Sequence, residues 1–103
     1  MDQRDRVSRH VIARDGNGRA IGTGRLLPDG QLGRLAVLAD WRGKGVGRAL
    51  LERLLEEAER QDQRRLALHA QTQASGFYRR FGFVDEGPEF MEAGIPHRTM
   101  VKR

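Results

Sequence analysis

No cysteine occurs among the 103 residues. That absence excludes disulfides, thiolate zinc sites and a cysteine nucleophile, and it suits a reducing compartment. No apolar run approaches the roughly 20 residues that a membrane-spanning helix needs, and the opening "MDQRDRV" lacks the apolar centre of a secretion signal. A cytoplasmic protein without membrane contacts is therefore expected. Aromatic side chains are scarce, with one Trp, one Tyr and four Phe, which leaves little for stacking on nucleic-acid bases. The three histidines, His10, His69 and His97, show no metal-ligand spacing, so no metal is expected.

The chain is instead rich in cations and glycine. Its 19 Lys and Arg against 14 Asp and Glu give a formal charge of +5, which attracts anions without specifying which. The length suits one domain over residues 1–103, large enough for a single core and too small for two.

The apolar period changes several times along the chain, as a mixed α/β domain requires. "RHVIARD" (Arg9 to Asp15) and "AIGTGRLL" (Ala20 to Leu27) read as strands joined through the turn residues Gly16 to Gly18. After Pro28 to Gly30, "QLGRLAVL" (Gln31 to Leu38) reads as a third, central strand. A helix follows, with Val46, Leu50, Leu54 and Ala58 spaced by four, Ala49, Leu51 and Leu55 widening the stripe, and Glu52, Glu56, Glu57 and Arg60 on the other side. "RRLALHAQ" (Arg64 to Gln71) is the next strand, parallel to the third if the helix crosses over with the usual right hand. "ASGFYRRFGF" (Ala74 to Phe83) reads as a short helix stopped by Gly82, and the tail should supply one or two final strands. No linker, repeat or low-complexity segment interrupts the pattern.

The stretch with the clearest chemistry is "RGKGVGR", Arg42 to Arg48, between the third strand and the helix. A glycine-rich turn at a helix head leaves backbone N–H groups converging where the helix dipole adds positive potential, which suits a phosphate. Gly43, Gly45 and Gly47 permit close approach, and Arg42, Lys44 and Arg48 add charge. The nucleoside-triphosphate loop is excluded because no Gly-Lys-Ser/Thr occurs, and the dinucleotide pattern Gly-x-Gly-x-x-Gly also fails here.

What fits is Arg-x-x-Gly-x-Gly, filled by Arg42, Gly45 and Gly47 directly after "GRLAVL". It resembles the acetyl-CoA pyrophosphate loop of the GCN5-related N-acetyltransferases. A second block, "AQTQASGFYRRFGF", is similar to the family's later motif: Gln71 stands where asparagine is usual, Ala74 and Tyr78 match, and Gly82 and Phe83 close the block. The ending "GPEFMEAGIPHRTM" resembles the bacterial ElaA-like branch. The resemblance implies an α/β (α+β) fold of the acyl-CoA N-acyltransferase kind, a mixed and mainly antiparallel sheet with a central parallel strand pair. Members ordinarily begin with an additional strand and two helices, whereas this sequence looks short at its N-terminus. A homodimer covering the open edge is the corresponding expectation.

By the same resemblance, acetyl-CoA is the co-substrate and its acetyl group passes to a primary amine of a small molecule or peptide. Backbone groups at Leu35, Ala36 and Val37 would pair with the pantetheine arm like an added strand and supply an oxyanion donor. Val46 completes the pyrophosphate loop, Gln71 belongs to the cofactor side, and Tyr78 is the general acid for the leaving thiolate. Strand alternation sets Ala67, His69 and Gln71 on one face, which makes His69 the candidate base. Glu89, Glu92 and His97 read as solvated turn residues near the acceptor. Two other classes stand beside this one: a catalytically silent CoA-binding module, and a basic nucleic-acid binder. The second is disfavoured because acids interleave with the cations along the helix.

Overall fold

The computed structural model describes residues 8–103. The chain divides into two units, residues 1–63 and 64–103. Their strands are β1 (Arg9–Arg14), β2 (Ala20–Leu26) and β3 (Leu32–Val37) in the first, and β4 (Leu66–Gln71), β5 (Val84–Asp85), β6 (Phe90–Glu92) and β7 (Ile95–Lys102) in the second. The helices are α1 (Val46–Arg60) in the first unit and α2 (Ser75–Arg79) in the second. The result is a mixed α/β chain, as the changing periodicity requires.

In the first unit the strands form an antiparallel meander ordered β1-β2-β3. Asp15 sets the first turn, its carboxylate accepting from the N–H groups of Asn17 and Arg19 at 2.9 and 3.0 Å. Helix α1 packs against all three strands. Leu50, Leu51, Leu54 and Ala58 are buried because they share an arc of about 100° on the helix. Ala49 lies opposite that arc and is exposed, so it does not widen the stripe as the spacing suggested. Glu57 borders the arc and is half-buried, where it pairs with Arg9 at 3.5 Å and Arg60 at 3.1 Å.

Two strand glycines let the helix come close. A Cβ on Gly22 would lie 2.9 Å from Leu50 Cδ1, and one on Gly24 would lie 2.8 Å from Leu54 Cδ1. Side chains at these positions of β2 would hold α1 off the sheet.

In the second unit β7 is the hub, pairing antiparallel with β4, β5 and β6. Phe83, Met100 and Val101 are at most 1% exposed, and Leu66, Leu68 and Ala70 join them in the core. Three strands follow α2, one more than the tail suggested, because the chain after Phe83 folds back twice on β7. Helix α2 is shorter than the Ala74 to Phe83 reading. Its end tightens through bonds from Phe81 N–H to Tyr78 O and from Gly82 N–H to Arg79 O, so Gly82, at φ +91°, stands in the turn beyond it. Glu86 accepts from Arg65 and Arg103 at 2.9 Å each. The Arg103 hydrogen bond, with Arg65 beside it, holds this exposed carboxyl below its ordinary range.

Every ladder among the described residues is antiparallel and lies within one unit. The third and fourth strands, expected as a central parallel pair, belong one to each unit and share no recorded ladder. No helix among the described residues is long and apolar enough to cross a membrane.

Candidate active site

The glycine-rich loop is anchored at both ends. Leu38 N–H donates to Ile21 O, and a 3₁₀ turn over Ala39–Trp41 follows, with Trp41 N–H bonded to Leu38 O and Arg42 N–H to Ala39 O. Gly43 and Gly45 then take left-handed φ values of +76° and +85°, which side chains with a Cβ adopt only under strain. No heavy atom lies within 4 Å of where a Cβ would sit on either. Conformation, then, requires these two glycines, and the space over them is open. Gly47 is different: it lies inside α1, in the middle of the core-facing arc, and has no positive φ.

The first bond of the α1 ladder runs from Ala49 N–H to Gly45 O. The N–H groups of Val46, Gly47 and Arg48 lie ahead of it, no side chain caps them, and the first turn carries no acid. The positive end of the helix dipole is therefore uncompensated at the open side of the loop. The nearby cations are held rather than dangling. Arg42 Nε donates to Val37 O at 3.3 Å, Lys44 Nζ sits 5.3 Å from the centroid of the Trp41 ring, and Arg48 pairs with Glu52 at 2.8 Å. Trp41 is a residue the sequence reading missed, and a lone indole two positions before a glycine was the available signal.

Strand β3 leads into this loop and, among the described residues, has a ladder on one side. Because Leu38 N–H points to β2, strand alternation turns the backbone groups of Val37 to the other side and those of Ala36 toward β2. Thr23 opposite Ala36 and Gly22 opposite Val37 fit that register, which then shifts before Arg25 and Gly33 and leaves Leu35 outside the regular alternation. Arg42 occupies the Val37 carbonyl. The N–H group of Val37 remains directed at the unladdered side.

His69, Gln71 and Tyr78 belong to the second unit. Tyr78 lies on α2, half-buried, with Phe77 and Phe83 edge-on at centroid distances of 5.1 and 6.0 Å. Burial raises its phenol above the ordinary tyrosine value, so the hydroxyl keeps its proton throughout the neutral range. Gln71 is exposed at the end of β4 and accepts from Gln73 Nε2 at 3.0 Å. His69 is exposed on the same strand, while Ala67 is buried although alternation sets it on the His69 face.

Glu92 and His97 depart from the solvated-turn reading, whereas Glu89 is exposed and outside any strand, as expected. His97 is in β7 and only 7% exposed, and Glu92 is in β6. The carboxylate of Glu92 lies 3.1 Å from His69 Nδ1 through one oxygen and 3.4 Å from His97 Nε2 through the other. Glu89 accepts from Thr72 Oγ1 at 3.3 Å. Among the described residues no group of three or more His, Asp and Glu side chains is arranged to hold a metal ion.

Known proteins are similar to this chain. The family model described as an acetyltransferase (GNAT) domain matches residues 2–103. The uncharacterized N-acetyltransferase YjcF of Bacillus subtilis is 37% identical over 99% of this chain and 75% of its own length. Another Bacillus subtilis protein, YyaT, is 36% identical over 90% of this chain, which spans 64% of YyaT. Among solved structures, an acyl-CoA N-acyltransferase from Pseudomonas aeruginosa superposes with a TM-score of 0.85 at 32% identity, over 93% of this chain and 68% of that one. Escherichia coli ElaA gives the same TM-score and coverages at 28% identity.

Proposed function

Because the chain belongs to the acetyltransferase (GNAT) domain family, whose acyl-CoA N-acyltransferase fold implies acetyl-CoA as co-substrate, we propose that it transfers the acetyl group of acetyl-CoA to a primary amine of a small molecule or peptide. The observation that carries this reading is the open, uncapped head of α1 behind two left-handed glycines, directly after a strand whose Val37 N–H faces away from β2. The diphosphate of CoA binds the N–H groups of Val46, Gly47 and Arg48 over Gly43 and Gly45, with Arg42, Lys44 and Arg48 adding charge. The pantetheine arm pairs with Leu35, Ala36 and Val37 as an added strand. Gln71 lies on the cofactor side of the second unit, and Tyr78 protonates the departing thiolate.

Both units serve as one acetyltransferase domain in this reading, supported by the single family model that spans them. The cations of α1 argue against nucleic acid as the partner, since Arg48, Arg53 and Arg60 pair with Glu52, Glu56 and Glu57 on the helix itself. A cytoplasmic homodimer completes the reading. Its support is the sheet face opposite α1, where Ile12 and Leu38 are exposed around an apolar hollow of about 280 Å³.

Titration with acetyl-CoA, followed by an amine panel assayed for released thiol, tests the proposal. Saturable binding with turnover of a primary amine is the expected result. Binding without turnover on any amine would reduce the chain to a silent CoA-binding module, and absence of binding would remove the reading altogether.

A further inference from the structure

The Glu92 carboxylate is shared by two imidazoles that the chain holds very differently. His97 is buried, and its Nδ1 lies 2.7 Å from the carbonyl oxygen of Ile95. A carbonyl only accepts, so His97 Nδ1 carries a hydrogen. Its Nε2 lies 3.4 Å from Glu92 Oε2. His69, exposed on β4, presents Nδ1 to the other oxygen of the same carboxylate at 3.1 Å. A carboxylate oxygen accepts, so His69 Nδ1 is the donor to Glu92 Oε1. Its Nε2 is left as the lone-pair nitrogen.

The strands fix this arrangement. His69 pairs with Thr99, and Gln71 with His97, across β4 and β7, so both histidines stand on one face of the ladder. The β6–β7 hairpin brings Glu92 over that face, with Phe90 opposite His97. The Phe90 ring packs edge-on against His69 at 5.0 Å and stacked on His97 at 6.1 Å, which limits rotation of both imidazoles. The neighbouring charges are otherwise engaged: Glu89 with Thr72, and Arg98 with Asp85 at 3.6 Å.

We propose that Glu92 is a positioning residue that fixes His69 with Nε2 outward as the proton acceptor for the incoming amine. This rests on the acetyl-transfer reading above. The substrate ammonium gives one proton to His69 Nε2, and Glu92 stabilises the resulting imidazolium through Nδ1–H. The freed amine lone pair forms the N–C bond at the thioester carbonyl. The C–S bond then breaks, the thiolate takes the Tyr78 proton, and the second amine proton restores the phenol. The proton on exposed His69 returns to water. The sum is ammonium plus acetyl-CoA giving amide, CoA thiol and one proton.

Two measurements test it on the whole chain. Long-range nitrogen–proton NMR of the histidine rings should show neutral His69 protonated at Nδ1 in the wild type and lose that preference in Glu92→Gln. With an amine that the wild type acetylates, His69→Ala should lower kcat by about 10²-fold and recover activity with added imidazole. Glu92→Gln should lower kcat by up to the same factor by releasing the tautomer, and both variants should keep the wild-type Kd for acetyl-CoA. A His69 protonated at Nε2 in the wild type, or unchanged kcat in both variants, overturns the proposal while leaving acetyl transfer standing. A wild type that turns over no amine overturns the acetyl-transfer reading and removes the base role with it, whatever the tautomer.

Discussion

The first unit presents its chemistry through the backbone, and the second through side chains. In the proposed function the groups that face an anion around Gly43 and Gly45 are amides, and the nearby cations are tied to Val37 O, Trp41 and Glu52. On β4, α2, β6 and β7 the proposed working groups are the Tyr78 phenol and, in the His69–Glu92–His97 cluster, the His69 imidazole. An amide needs only the right φ to point correctly, so glycine placement suffices and the site stays legible in a short string. A side-chain cluster needs several strands in register, so its members scatter along the sequence. Substitutions in one unit should therefore change binding, and substitutions in the other should change turnover.

The largest expected effect tests the side-chain half. Tyr78→Phe keeps the ring between Phe77 and Phe83 and removes the hydroxyl, so turnover should fall about 10²-fold with acetyl-CoA affinity unaltered. The raised phenol pKa adds a pH dependence of definite sign. A group whose folded-state pKa lies above its unfolded value contributes stability that is full below the unfolded pKa and lost as pH rises through the folded one. Wild type should therefore lose stability in that alkaline window, and Tyr78→Phe should not. Equal turnover and equal alkaline melting curves in the two proteins would leave Tyr78 a packing residue.

The backbone half is broken by Gly45→Val, which places a β-branched side chain at φ +85°. The loop must distort, and acetyl-CoA binding measured by calorimetry should weaken at least tenfold, about 1.4 kcal/mol. Gly47→Ala makes the comparison sharper, because that residue is helical and should retain affinity within a few-fold. If the two substitutions weakened binding equally, left-handed backbone would not be what the loop contributes.

The smallest effect concerns packing alone. Gly24→Ala sets a Cβ 2.8 Å from Leu54 Cδ1, and Leu54 is 1% exposed and has little room to yield. Chemical denaturation should show a loss of about 1 kcal/mol, with kcat per folded molecule unchanged. A stabilised variant would mean that α1 can shift away from β2 without cost.

Much of this was readable along the chain. The meander, α1 and the loop follow from local periodicity, turn residues and glycine. They depend on neighbours a few positions apart, and so they are visible in a window. Errors came where non-local contacts decide. Spacing does not show how closely α1 approaches the sheet, because that depends on Gly22 and Gly24, two strand residues that read as ordinary strand positions. Gly47 alternates with Gly43 and Gly45 in the sequence, and only the backbone angles separate it from them.

The sequence by itself determined the glycine-rich loop, because left-handed turns and an uncapped helix head arise from adjacent residues. It also determined the family resemblance that the motifs carry. Only the tertiary structure decided that Val37 turns its N–H group away from β2, since that orientation follows from one hydrogen bond, Leu38 to Ile21. It alone decided, too, that His69, Glu92 and His97 meet. Glu92 lies 23 positions from His69 in the chain, and the two are joined by the pairing of β4 with β7 and the return of β6 along β7. Strand register is a property of the whole sheet, and no local pattern around any of the three residues contains it.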